Sequence, residues 1–186
     1  MLYLISGASR SGKTTIAKRI AEQKGISYMS LDWLVMGFTN GIPKYGIHDK
    51  LFPNEIAKRI WSFLKAMLES MIWVDVDYII EGEAIQPELI AELLKKHPDR
   101  LKICFVGYTS VSVEEKFQYI KDFSTEQNDW LIDKSDAYIK AHIQNMITHS
   151  LTIKDACFRY NINYVDTSKN FEGVINQVVK QLSALR

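Results

Sequence analysis

The chain has 186 residues, 47% hydrophobic and 24% charged, with 23 lysines and arginines against 22 acidic side chains and a formal net charge of +1. That composition suits one globular domain with a full core, and a charge so close to zero gives no electrostatic reason to expect nucleic acid or a membrane surface as partner. There is no basic leader with an apolar signal-like stretch and no run long enough to span a bilayer, so the expected location is the cytoplasm.

Leu2 to Ser6 reads as a strand, and Gly7-Ala8-Ser9-Arg10-Ser11-Gly12-Lys13-Thr14 follows at once, matching G-x-x-x-x-G-K-[ST]. Ile16, Ala17, Ile20 and Ala21 then share one helical face, and Gly25 ends the helix. A phosphate-binding loop belongs between a strand and a helix, and that is where this match lies. Gly7 and Gly12 permit a tight turn whose amides point inward around an anion, and the helix N-terminus adds positive potential. The nucleotide-contacting set is therefore Gly7, Ala8, Ser9, Arg10, Ser11, Gly12, Lys13, Thr14 and Thr15. Lys13 can reach the β- and γ-phosphates, and the Thr14 hydroxyl can hold Mg²⁺.

A second strand is expected at Ile26 to Leu31, ending at Asp32-Trp33, then a loop from about Met36 to Pro53 carrying Gly37, Gly41, Pro43 and Gly46. So long a loop in a compact domain suggests function. Ile56, Ile60, Phe63, Leu64, Met67 and Met71 mark a strong helix after Pro53. Asp77 to Ile80 forms the third strand and leads into Glu81-Gly82-Glu83. Pro87 opens a helix that Pro98 stops, and Leu101 to Val106 is the fourth strand. Ser112-Val113-Glu114-Glu115 has the form of a capping box. From about Lys121 to Lys134 the pattern turns polar, and a long helix is expected from about Ser135 to Tyr160. Asn163 to Asp166 reads as a short fifth strand, and Phe171 to Leu182 as a final amphipathic helix.

Alternating strands and helices imply an α/β fold with a mostly parallel sheet covered on both faces. Ligands in such sheets bind beyond the carboxyl ends of the strands. Four polar segments converge there: the phosphate loop, Asp32, Glu81 to Glu83, and Asp166 to Asn170. Cys104, in an apolar run, reads as a buried reduced thiol, and Cys157 offers it no C-x-x-C partner. His48, His97, His142 and His149 have no metal-binding spacing.

With that loop after the first strand, an acidic residue ending the second, Glu-Gly ending the third and a polar insertion after the fourth, the chain resembles the P-loop kinases. It is most similar to the group of nucleoside-monophosphate and small-metabolite kinases that includes adenylate kinase and shikimate kinase. The resemblance implies a P-loop NTPase three-layer sandwich: a five-stranded parallel sheet in order 2-3-1-4-5, in one domain, with a helical lid inserted at about 117–141. It implies ATP and Mg²⁺ as cosubstrates and a small-molecule phosphoryl acceptor, with oligomeric state left open. Lys13, Asp32 and Glu81 would be the catalytic residues, and Thr14 with Glu81 would hold the metal. Asp32 and Arg59 would contact the acceptor.

The physical logic for Asp32 is that a carboxylate near the γ-phosphate orients a hydroxyl and takes its proton. As alternatives, Asp32 is a helix cap, Glu81 a turn carboxylate beside a flexible glycine, and Arg59 an exposed helix residue. Arg10 either braces a phosphate or points to solvent. Glu83 is a weaker candidate, and Phe38, Tyr45 and Phe52 line either an acceptor pocket or the core. No arginine occurs between Leu101 and Phe158, whereas adenylate-kinase-like lids carry several. Lys116, Lys121, Lys134 and Lys140 are the available cations, with Arg159 near the base of the lid. A lysine cannot grip phosphate bidentately, which argues for a small metabolite over a nucleoside monophosphate as acceptor. The competing reading is a nucleotide-binding regulatory or assembly NTPase with no small acceptor.

Overall fold

A computed structural model describes residues 1–123, 130–131 and 133–184, the side chain of residue 123 excepted. The chain runs β1 (Leu2–Gly7), α1 (Lys13–Lys24), β2 (Tyr28–Ser30), α2 (Leu31–Gly41), a 3₁₀ turn (Pro43–Tyr45), α3 (Pro53–Trp73), β3 (Tyr78–Glu81) and α4 (Pro87–Lys96). It continues through β4 (Leu101–Gly107), α5 (Val113–Phe123), α6 (Asp136–Tyr160), β5 (Tyr164–Asp166) and α7 (Phe171–Ala184). All strand pairs are parallel, in the order β2-β3-β1-β4-β5, as the resemblance implied.

Side-chain alternation along the central strands divides the core in two. Leu2 and Leu4 of β1, Ile80 of β3 and Phe105 of β4 pack with α2, α3, α4 and α6. Tyr3 and Ile5, Ile79, and Cys104 and Val106 point the other way, onto α1 and α7. Both faces being covered explains why β1 is buried along its whole length. The Cys104 and Cys157 thiols are buried and free, and burial pushes each up to about 12.

One expectation changes. The second strand stops at Ser30: Leu31 to Trp33, expected at its end, open α2, and Met36 to Gly41, expected as the first part of a long loop, complete it. Ser30 caps that helix by accepting from the Asp32 amide at 3.3 Å. Leu31 and Val35 are buried, with Leu34 and Phe38 packed beside them. This one-sided apolar stripe outweighs the helix-weakening of Gly37 and Gly41. Asp32 thus stands on the first turn of a helix at the sheet's carboxyl edge.

The capping box at Ser112 forms as read: the Glu115 amide donates to Ser112 Oγ, and the Ser112 amide to Glu115 Oε2. Ile120 of α5, Leu131, and Ile139 and Ile143 of α6 bury a small separate apolar cluster. The polar stretch Ser124 to Asp129, expected within the lid, lies outside the described residues.

Gly7 sets how closely the phosphate loop approaches the sheet. Its φ is +134°, and a Cβ there would lie 1.7 Å from the Val106 carbonyl oxygen. Gly7→Ala is expected to destabilise the protein by well over the about 1 kcal/mol typical of a point change. Urea denaturation checks this, and an unchanged midpoint would show that the approach is not fixed.

Candidate active site

The loop from Gly7 to α1 is built to hold an anion. Arg10 and Gly12 take positive φ of 57° and 100°, so successive amides turn toward one side. Gly12 is the N-cap of α1, and no side chain caps that helix. Its first-turn amides therefore remain as donors. Ser11 Oγ donates to the Ala8 carbonyl at 2.7 Å and tightens the turn.

Three carboxylates meet this loop. Lys13 is 7% exposed; its Nζ donates to the Ala8 carbonyl at 2.7 Å and lies 3.5 Å from Glu83 Oε1. Thr14 Oγ1 donates to Glu81 Oε1 at 3.3 Å. Asp32 keeps an exposed surface yet has protein on most sides; this desolvation raises its pKa, with Lys13 opposing and Glu83 reinforcing the rise. Glu81, 2% exposed, is also raised by burial, against hydrogen bonds from Ser30 and Thr14 and the charge of Lys13.

The structure thus brings Lys13, Thr14, Asp32 and Glu81 together and adds Glu83, whose side chain gains prominence as the ionic partner of Lys13. Arg59 is engaged elsewhere: it donates to the Gly46 carbonyl at 2.6 Å, bracing the turn before α3. No contact among the described residues joins it to the phosphate loop. Phe38 packs edge-on against Tyr45 and Phe63, so it belongs to the packing around α2 and α3.

The raised pKa of Glu81 has a consequence for stability. Its carboxyl binds a proton more tightly folded than unfolded, so stability falls as pH rises from the ordinary carboxyl range through the raised value, and then levels. Glu81→Gln is expected to raise the melting temperature of the ligand-free protein at pH 7 by a few degrees. That advantage should vanish as pH falls below the ordinary carboxyl range. Calorimetry across pH checks it; a variant less stable at pH 7 would show that the charged form is favoured.

Among the lid-region lysines, Lys121 pairs with Asp136 at 3.0 Å, Lys140 lies 3.9 Å from Glu114, and Lys134 sits over the Tyr138 ring. Lys116 reaches the phosphate loop. It is 5% exposed, its Nζ donates to the Arg10 carbonyl at 3.1 Å, and it sits 4.2 Å from the Tyr108 ring centre and 5.2 Å from that of Tyr119. Burial, helped by the Arg10 charge, lowers its pKa to about 8. It lines two adjoining cavities. One, of about 310 Å³, covers Gly12 to Thr15; the other, of about 270 Å³, runs along Thr167 to Phe171. The second is shaped by Asp166, whose carboxylate accepts from Ser168 and Thr109. Those bonds hold its pKa below the usual value despite burial.

Sequence reading gave the histidines no role. His142 and His149 lie on one face of α6, and each has a buried Nε2 without a partner among the described residues. Burial lowers both pKa values while Glu83 opposes the change. His149 also lines a third cavity, of about 600 Å³, between the starts of α3 and α4 and the middle of α6. Arg159 lies at the same cavity.

The donor set fits a polyphosphate with a divalent cation: uncapped helix amides, a buried lysine, and a hydroxyl paired with a carboxylate. No cluster of three metal-binding side chains exists among the described residues. Mg²⁺ takes one or two protein ligands beside phosphate oxygens and water, a smaller demand than such a cluster.

No protein-family model matches the chain, and no curated protein sequence does. Solved structures do. A shikimate kinase from Bacteroides thetaiotaomicron superposes with a TM-score of 0.57 at 16% identity, over 99% of this chain and 97% of that one. A gluconokinase from Sinorhizobium meliloti 1021 gives 0.55 at 18% identity, over 98% and 93%. A shikimate kinase from Acinetobacter baumannii, solved in complex with shikimate, gives 0.53 at 16%, over 98% and 92%. The fold is that of the P-loop kinases, shikimate-kinase-like in its sheet order and extent.

Proposed function

We propose that this chain, a P-loop kinase by fold, transfers the γ-phosphoryl group of ATP to a hydroxyl of a small metabolite. The observation that carries the reading is the meeting of Asp32 and Glu83 with Lys13 at the phosphate loop. Transfer to a hydroxyl needs, besides the cation, a carboxylate beside it to orient the incoming hydroxyl and take its proton.

In this reading the loop amides and Lys13 bind the ATP phosphates, and Lys13 offsets charge developing on the transferring group. Asp32 orients the acceptor hydroxyl and takes its proton, while Glu83 holds Lys13 in place. Thr14 and Glu81 would hold Mg²⁺, which would neutralise charge on the phosphates. The cavity along Thr167 to Phe171 receives the rest of the nucleotide. The segment 117–141 is the lid, with Lys116 at its root.

Lys116 supplies from that root the positive charge that arginines bring in adenylate-kinase-like lids. Lys116→Ala is therefore expected to lower turnover at least tenfold, about 1.4 kcal/mol of barrier. Lys121→Ala and Lys140→Ala, which remove exposed ion pairs, should change it little. Turnover in all three variants checks this; equal losses would show that Lys116 has no special place.

The test of the function is ATP consumption with Mg²⁺ in the presence and absence of a metabolite pool. A kinase is stimulated by a particular member of the pool. Consumption indifferent to every metabolite would favour an NTPase of the regulatory or assembly kind.

A further inference from the structure

We infer that the phosphoryl acceptor is an uncharged polyhydroxylated molecule, a sugar or polyol, bound in the cavity between α3, α4 and α6 with His149 holding its reacting end. The inference rests on the kinase reading and narrows its acceptor class. The cavity, about 600 Å³, is of small-molecule size.

Its position ties it to the phosphate loop. Gln86 lines it and donates from Nε2 to the Glu83 carbonyl at 3.2 Å. His149 lines it too; burial lowers its pKa, with the Glu83 charge opposing and the Lys13 charge adding to the shift. Through Gln86 the cavity is joined to Glu83, the ionic partner of Lys13.

The buried residues described along the cavity, Gln86, Met146 and Ala156, at 5%, 6% and 4% exposed, and half-buried His149 carry no fixed charge. Burial favours the neutral imidazole. Its Nε2 has no hydrogen-bond partner among the described residues and is covered as the ring stands, so a hydroxyl in the cavity reaches it when the ring turns. A neutral imidazole nitrogen can accept from a hydroxyl or donate to one, according to tautomer. A carboxamide beside it offers both a donor and an acceptor. That pairing suits hydroxyl groups.

An acid or a phosphate ester bound beside Gln86 would lie toward Glu83, whose carboxylate already faces Lys13. A buried anion needs a cation of its own. The charged side chains described along the cavity, Glu55, Lys58, Glu88 and Arg159, are all exposed. They are two of each sign, and solvated charges so placed select weakly.

The test incubates the purified protein with Mg²⁺ and γ-labelled ATP and a panel in three classes. The neutral class is glycerol, myo-inositol, glucose and ribose. The acids are gluconate, glycerate and shikimate, and the phosphate esters are AMP and UMP. Label is expected in a neutral member. For that acceptor His149→Ala should lower kcat/KM at least tenfold, mainly through KM, with MgADP affinity retained. His149→Gln, which keeps a neutral hydrogen-bonding group, should restore most of it. Label in an acid or a phosphate ester overturns the acceptor class while leaving the kinase reading intact. So does MgATP binding with no panel member labelled. An undiminished kcat/KM in His149→Ala overturns the role of His149. Failure of the wild-type protein to bind MgATP overturns the kinase reading itself.

Discussion

Replacing Lys13 by alanine is expected to reduce phosphoryl transfer by about 10³-fold or more while leaving the protein folded. The Lys13 ammonium is nearly inaccessible and is held by the Ala8 carbonyl and Glu83. It sits beside the uncapped start of α1, so its charge acts where solvent cannot screen it. Removing one preorganised positive donor from such a site typically costs about 10²–10³ in rate, and Lys13 carries a full charge. The fold should survive because the loop's shape rests on Gly7, Gly12 and the Ser11 to Ala8 bond. Turnover measured beside a thermal melt checks both halves. A wild-type rate in the folded variant would remove the phosphate loop from the chemistry.

Asp32→Asn should lower kcat by about 10²–10³-fold with ATP affinity nearly unchanged, since general-base contributions run from about 10² to 10⁴. The amide keeps the size of the carboxylate but cannot take the acceptor's proton. The capping role is already filled: Ser30 Oγ accepts from the Asp32 amide, a bond that the side-chain change does not touch. Separate determination of kcat and of KM for ATP gives the answer. A variant that melts earlier but turns over normally would make Asp32 a structural residue of α2.

The phosphate loop was legible because its chemistry is local: amides, a lysine and a hydroxyl at fixed spacing around a turn. The sheet order came through the family resemblance, which the parallel pairing bears out. Taken alone, the sequence puts the start of α2 at the end of a strand and its second half in a loop, although Leu31, Leu34, Val35 and Phe38 recur at helical spacing. Glycines at 37 and 41 argue for a loop when taken locally, and the apolar stripe gains its weight only against α3 and the sheet. Glu83 was undervalued for a related reason. Gly82, at φ +152°, redirects the chain after β3, so spacing could not tell which acidic side chain would face Lys13. The seven-residue interval between His142 and His149 placed them on one face of a helix. What that face looks onto is a tertiary fact, set by α6 crossing back past the phosphate loop.

The account stands most directly on the fate of the terminal phosphoryl group. Incubating the protein with Mg²⁺, γ-labelled ATP and a metabolite extract should move label into an acid-stable phosphomonoester of one small molecule. The same incubation with the folded Lys13→Ala protein should leave it unlabelled. Label released only as inorganic phosphate, at a rate the extract does not change, would contradict the account.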